Sequence, residues 1–446
     1  MAPTDPSGSL DSIIQQITTS NNIRALDQTL RNSLPKEARE TILASMLPGG
    51  QDPLAILDPR VNTLGVLYIL SARLNVSAAQ SPAPHLIHAF CRTFDRDQAY
   101  IAPNRVTLLA KGIMHLAEES RNPRWAIEPL YDLLTRYAPN PSYLTPIHPL
   151  FLLACAQTQS YTAALPLLAT PITSIDTTLS PDLSYIDNLV YHHIGGMIFA
   201  ALKQWEQAEE YFEICVTSPG HVPAALQLEA LKKLVLVQLI SKGKISALPK
   251  YANPQLSRLL KNTPYNGFIS AYPRNPQQLR SILDKEQAYF SNEKNIGLML
   301  QAIARAPRWS IKKLTETYVT LSISEIAKSV KIEKHDEVRA LILDMVEASD
   351  INAKISSDGT VTFSDTPPAS AELSKSDVDR LVKEAQEQVA LLAKLDLELG
   401  KNRDYLTKAL KAKDDPWAAP GAEEDLFGMG MPTLGGGSWT EEAGYA

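Results

Sequence analysis

The sequence predicts a mainly α protein in three parts: stacked helical hairpins, a compact module of helices closed by a β-hairpin, and one long terminal helix. Three observations predict it. Most of residues 10–310 read as helix after helix, joined by short connectors rich in Pro, Asn and Ser such as 48–53 and 139–141, with no alternating strand before residue 350. The texture changes over 308–365, where a capping box and an Asp-Gly turn appear. From Ser376 onward an apolar stripe recurs at steps of three and four.

The repeat in the first part is clearest at 192–219. Gly196, Phe199, Ala208, Phe212, Cys215 and Pro219 fall near the small, aromatic and proline positions of a tetratricopeptide (TPR)-like hairpin. A small residue on each helix lets the pair approach, a large apolar residue fills the gap, and Pro marks the exit. Looser echoes cover Leu152, Cys155, Ala164, Leu168 and Pro171, and the stretch 125–139 with Leu130, Leu133 and Leu134. One hairpin cannot bury its own apolar face, so several must stack into a helical-repeat solenoid, drawn over residues 1–225. Residues 226–240 are apolar nearly all round, which predicts a helix buried on most sides, with Gly243 at its C-cap.

The second part is drawn over 226–365, with a helical portion 226–308. A helix from Trp309 to Thr320 then leads to Ser322 and Glu325, whose capping box starts a short helix, Ile323–Val330. A longer helix, Asp336–Ala348, buries Val338, Leu341, Ile342, Met345 and Val346. Strands Ile351–Ile355 and Thr360–Ser364 follow, joined by Ser357-Asp-Gly359, a strong hairpin turn. Three helices and a hairpin in that order describe a winged helix-turn-helix over 309–365.

Residues 366–375 form a linker, with Pro367-Pro368 in it. The terminal helix is drawn over 376–412. Its stripe runs through Val378, Val382, Ala385, Val389, Leu392, Leu395, Leu399, Leu406 and Leu410. It finds no core left in its own chain, so the stripe should meet other helices. The last part, 413–446, holds three prolines, five glycines between Gly428 and Gly437, and acids throughout, and is expected to be a disordered tail.

The net charge of −6 belongs to that tail, which holds seven acids and one base. The rest of the chain carries 42 of each sign, so it offers no overall field to nucleic acid or an anionic membrane. In the segment 333–350, where a DNA-reading helix would sit, six acids face only Lys334 and Arg339, which opposes contact with phosphate. Cys91, Cys155 and Cys215 are odd in number and far apart, which argues against disulfides and zinc. With no leader visible at Met1 and no apolar run of membrane-spanning length, the expected location is cytoplasmic and nuclear. His85 and His88 share a face, but no carboxylate pattern completes a metal site. Gly195-Gly196 lies inside a helix and is no phosphate cradle. No catalytic nucleophile stands in a motif.

Longer motifs add a resemblance. They are Gly243-Lys244 with Leu248-Pro-Lys-Tyr251, Tyr272-Pro-Arg-Asn-Pro276 with Leu279-Arg280, Glu293-Lys-Asn-Ile-Gly-Leu298, Ile311-Lys-Lys-Leu-Thr315, Leu321-Ser-Ile-Ser-Glu-Ile-Ala-Lys328, and Met345-Val-Glu347 with Asp358-Gly-Thr-Val-Thr-Phe363. The layout of solenoid, winged helix and terminal helix resembles the PCI-domain family, whose members are subunits of the proteasome lid, the COP-9 signalosome and a translation initiation factor. The motifs, in order over residues 190–400, are similar to the signalosome branch. The first 190 residues resemble it only in helical texture.

The resemblance implies a non-catalytic scaffold with no cofactor and no metal of its own. The complex removes a ubiquitin-like modifier from the cullins of cullin-RING ubiquitin ligases, through a metalloprotease subunit of another fold. In the family, winged helices associate edge to edge and terminal helices gather in one bundle. The partners implied are the PCI subunits numbered one and eight and the metalloprotease-containing core, with no membrane. A hairpin edge is a template for another strand. The sheet contribution therefore falls to Ile351, Ala353, Ile355, Val361 and Phe363, of which some must be core because strands alternate. The bundle contribution falls to Val382, Val389, Leu392, Leu395 and Leu399. The alternatives are a proteasome-lid subunit of the same architecture, a nucleic-acid-binding winged-helix protein, and an enzyme with an unrecognised site.

Overall fold

Many of the prolines in the connectors start helices. Pro84, Pro103, Pro254, Pro264 and Pro276 each stand in a first helical turn, where a missing N–H loses no partner and φ is already close to helical. A computed structural model describes residues 10–364, except 21, 33–34, 48–49 and 77–78, and residues 374–407, except 404. Residues 366–373 of the expected linker 366–375, the acidic tail 413–446 and Leu410 lie outside the described residues, whereas Ser374 and Lys375 of that linker begin the terminal helix. The chain divides into two compact units, 1–364 and 365–446.

The hairpin read from 192–219 consists of the helices Tyr185–Ala201 and Trp205–Thr217. Ser184 and Asp187 cap the first with reciprocal hydrogen bonds. Close approach is made by glycine. A Cβ on Gly195 would lie 2.6 Å from the Tyr211 ring, and one on Gly196 2.8 Å from the Phe212 ring. Ala208, Phe212 and Cys215 are wholly buried beside them. Leu152 and Cys155 of Ile147–Gln157, Ala164 and Leu168 of Tyr161–Leu168, and Leu130, Leu133 and Leu134 of Ile127–Tyr137 are buried in the same way. Each helix packs on its neighbours, and one apolar core runs from Ile13 to Ala306.

The central helix, Ala225–Lys242, is buried on every side through Leu231, Leu234, Val235, Leu236, Val237, Leu239 and Ile240. Each such side chain contributes about 1.5–3 kcal/mol by leaving water. Gly243 ends the helix in the left-handed region at φ +71°, a conformation that costs glycine little.

A second core gathers residues from Ile311 to Phe363. The helix leading into it corrects an expectation: it runs Ile296–Thr315, not from Trp309 to Thr320. Pro307 lies in its interior. Burial of Met299, Ala302, Ile303 and Ala306 before the proline and Ile311 after it holds the helix together across the missing hydrogen bond. The helix stops early because Thr317, Tyr318, Val319 and Thr320 favour extended backbone. Thr320–Ser322 is a strand, β1, that the sequence pattern did not reveal.

The remaining elements follow the reading closely. The capping box of Ser322 and Glu325 starts Ile323–Val330. The next helix, His335–Glu347, buries Val338, Ile342 and Met345, with Leu341 and Val346 half-buried. Strands Ala353–Ile355 (β2) and Thr360–Phe363 (β3) are joined through Gly359 at φ +79°. The sheet is antiparallel with order β1-β3-β2, and Val361 stands opposite both Leu321 and Ile355.

In the second unit, Ser374 caps a helix over Lys375–Lys401. Its expected continuation to 412 is broken at Asn402, which is extended at φ −72°, ψ 116°. Gly400 and Asn402 are poor helix formers, and helical turns resume at 403.

Candidate interaction surfaces

The small sheet has two outer sides. β3 is hydrogen-bonded on both flanks, so among the described residues only β1 and β2 have an edge without a strand partner. Ile351, Val361 and Phe363 are buried, and Ala353 and Ile355 are half-buried against the same core. The structure therefore brings the five sheet residues together, but all five side chains serve the core. Alternation accounts for this: 351, 353 and 355, and likewise 361 and 363, stand two apart and share one face, while exposed Lys354 and Thr362 between them point the other way. A neighbouring strand would meet the backbone of β1 or β2.

The helix His335–Glu347 and its flanks expose Glu333, Asp336, Glu337, Asp344, Glu347 and Asp350. Arg308, from the helix Ile296–Thr315, pairs with Asp344 and with Asp350. This face is acidic, as the sequence indicated.

The helix Lys375–Lys401 has no buried residue. Val382, Val389, Leu392, Leu395 and Leu399 are each 45–65% exposed, and Val378, Leu381, Leu391 and Leu397 are exposed with them. Its polar positions are joined by Arg380–Asp377, Arg380–Glu384 and Lys383–Glu387 pairs at 3.6–3.9 Å. Such exposed pairs are worth about 0.3–0.5 kcal/mol each, whereas burying one Leu is worth about 1.5–3 kcal/mol. Stability of this helix therefore gains most from apolar contact.

A polar cluster unseen in the sequence ties the central helix to the Glu293–Leu298 motif. Lys232 Nζ reaches Glu293 at 2.5 Å and Glu229 at 2.9 Å. Tyr265 donates to Glu293 at 2.7 Å, and Asn295 donates to the Tyr265 hydroxyl at 2.6 Å while accepting from Lys233 at 2.9 Å. Burial works to raise the Glu293 carboxyl, but hydrogen bonds from Lys232 and Tyr265 overcome it and hold the group below the ordinary carboxylate range. Burial pushes the Lys233 ammonium down. The partners lie about sixty residues apart in the chain, so only the Lys-Lys pair inside an apolar run signals them.

Among the described residues, no group of three or more His, Cys, Asp or Glu could hold a metal ion. His88 faces Glu128 at 4.0 Å beside Trp125. His148 and His193 are buried, which lowers their imidazoles to about 3 and about 4. Burial raises the thiols of Cys155 and Cys215 to about 12. No described helix is long and apolar enough to cross a membrane.

Stacked helical hairpins that pass into a winged helix with a three-stranded sheet define a PCI-domain protein. Residues 301–365 match the model of the PCI domain, and residues 21–256 match that of the "COP9 signalosome complex subunit 3, N-terminal helical repeats". The COP9 signalosome complex subunit 3 of Dictyostelium discoideum is 30% identical over 371 residues, covering 81% of this chain and 88% of that protein. The Drosophila melanogaster subunit 3 is 29% identical over 453 residues, covering 91% and 96%. That of Arabidopsis thaliana is 28% identical over 366 residues, covering 78% and 84%. The chain belongs to the COP9 signalosome complex subunit 3 family, the same subunit to which the motifs between Gly243 and Phe363 point.

Proposed function

We propose that the chain is a non-catalytic scaffold of the COP9 signalosome, holding neighbouring subunits while another subunit of the complex removes the modifier from cullins. The observation that carries this reading is the helix Lys375–Lys401, with nine exposed Val and Leu side chains and no buried residue. Such a stripe is completed by helices of other chains. The edges of β1 and β2 support a second attachment, by strand pairing with the winged helix of a neighbour. The PCI subunits numbered one and eight are the proposed neighbours, and the metalloprotease-containing core is held through them. Three buried, unpaired cysteines suit a reducing compartment, here the cytoplasm and nucleus.

The test is a tagged pull-down of the full chain and of a chain lacking residues 376–412. The full chain should capture the other subunits of the complex. The deletion should release them while residues 1–365 melt as before. Full stoichiometric capture by the deleted chain would overturn the bundle role. Turnover by the isolated chain would overturn the non-catalytic reading.

A further inference from the structure

The two cores share no residue and meet inside one helix, Ile296–Thr315. Ala306 closes the first core and Ile311 opens the second. The four residues between them divide their attachments. Pro307 gives the helix no N–H, so one hydrogen bond of its ladder is missing at the junction. Arg308 turns to the winged helix and pairs with Asp344 and Asp350. Trp309 turns to the body and packs against the first core, with Lys312 Nζ 5.4 Å from its ring centre. Ser310 Oγ donates to the Pro273 carbonyl at 3.5 Å.

The seat of the Trp309 ring is Gly243, at the left-handed end of the central helix. A Cβ there would lie 2.5 Å from Trp309 Cγ, inside any tolerable contact. The indole N–H is buried without a hydrogen-bond partner among the described residues. The ring is thus positioned by the shape of the notch and not by a polar bond. A helix weakened at a proline can bend about that point. A ring seated in a glycine notch two residues later selects one bend.

We propose that the Gly243–Trp309 contact is a joint that sets the direction of the winged helix relative to the helical body. It thereby sets the position in which the sheet edge is offered to a neighbouring chain, a consequence that rests on the function proposed above. Gly243 and Trp309 are positioning residues. Neither is asked to touch a partner.

The joint is tested on the full chain by electron–electron distance measurement between nitroxides at Arg280→Cys and Lys354→Cys. Both positions are exposed, one on the body and one on β2, whereas the three native cysteines are buried and escape labelling. The unaltered joint should give one narrow distance. Trp309→Ala should broaden it and Gly243→Ala should shift it, while amide protection of the central helix persists. Should Trp309→Ala fail to fold, Gly243→Ala and Trp309→Leu carry the test. An unchanged narrow distance in the folded variants would overturn the joint. A changed distance with full capture of neighbouring subunits would uphold the joint and overturn its role in assembly. A changed distance with loss of capture would support both.

Discussion

Two helices of this chain are rich in Leu and Val and meet opposite fates. The central helix, Ala225–Lys242, is buried on all sides, and the helix Lys375–Lys401 on none. The difference is in the polar positions. The central helix has apolar residues all round, and its two midway lysines find Glu229, Glu293 and Asn295 inside the fold. The terminal helix alternates its stripe with a charged face through Lys383, Glu384, Glu387 and Lys394, which suits water as it stands. Apolar residues on every face mark a helix that its own chain will surround. A stripe bordered by charge marks one that waits for another surface.

Substitutions sharpen the contrast. Phe212→Ala empties the space beside Gly196 and should cost about 3–5 kcal/mol, read as a fall in the urea midpoint. Glu293→Ala leaves Lys232 with Glu229 alone and Tyr265 without its acceptor, and should cost about 1–3 kcal/mol in the same assay. Tyr265→Phe in that background should cost less than in the native chain, because only the bond that the hydroxyl accepts from Asn295 is left to lose.

Acid probes the same body. The imidazoles of His148 and His193 are lowered by burial to about 3 and about 4, whereas an unfolded histidine titrates near about 6.5. The folded values lie below the unfolded one. Their contribution is therefore complete above pH ~6.5 and is lost as pH falls from there toward the folded values, at no more than about 1.4 kcal/mol per pH unit for each group. Replacing both by Gln should flatten the stability profile between pH ~6.5 and ~5, above the range in which ordinary carboxylates titrate. A profile as steep as that of the native chain would assign the slope to other groups.

The smallest effect on the isolated chain belongs to the other helix. Leu392→Asp with Leu395→Asp should change its stability by less than about 0.5 kcal/mol, since neither side chain is buried. The same pair should abolish capture of neighbouring subunits. A large loss of stability would mean that the stripe already has a partner within its own chain.

Local signals were legible where one residue type had one physical use. Gly196 and Phe212 announced the close hairpin, Ser322 and Glu325 a helix start, Gly243 a helix end, and Asp358-Gly359 a turn. The strand β1 was not legible, because three residues are too few to show a period of two. The passage of one helix across Pro307 was hidden for a different reason. Proline locally argues for an end, and only packing on both sides of it decides for continuation. Asn402 shows the converse in the terminal helix, where no packed core carries the helix across a weak position.

The sequence by itself determined the helical class, the change to a winged helix after residue 308 and the bare terminal stripe, because each is written in spacings shorter than a few turns. Only the tertiary structure decided that Val361 and Phe363 belong to a central strand, that Lys232 and Lys233 are paired inside the core, and that Trp309 rests on Gly243. Those facts join residues 40 to 66 positions apart. Contacts at that distance follow from how whole helices stack, which no local spacing encodes.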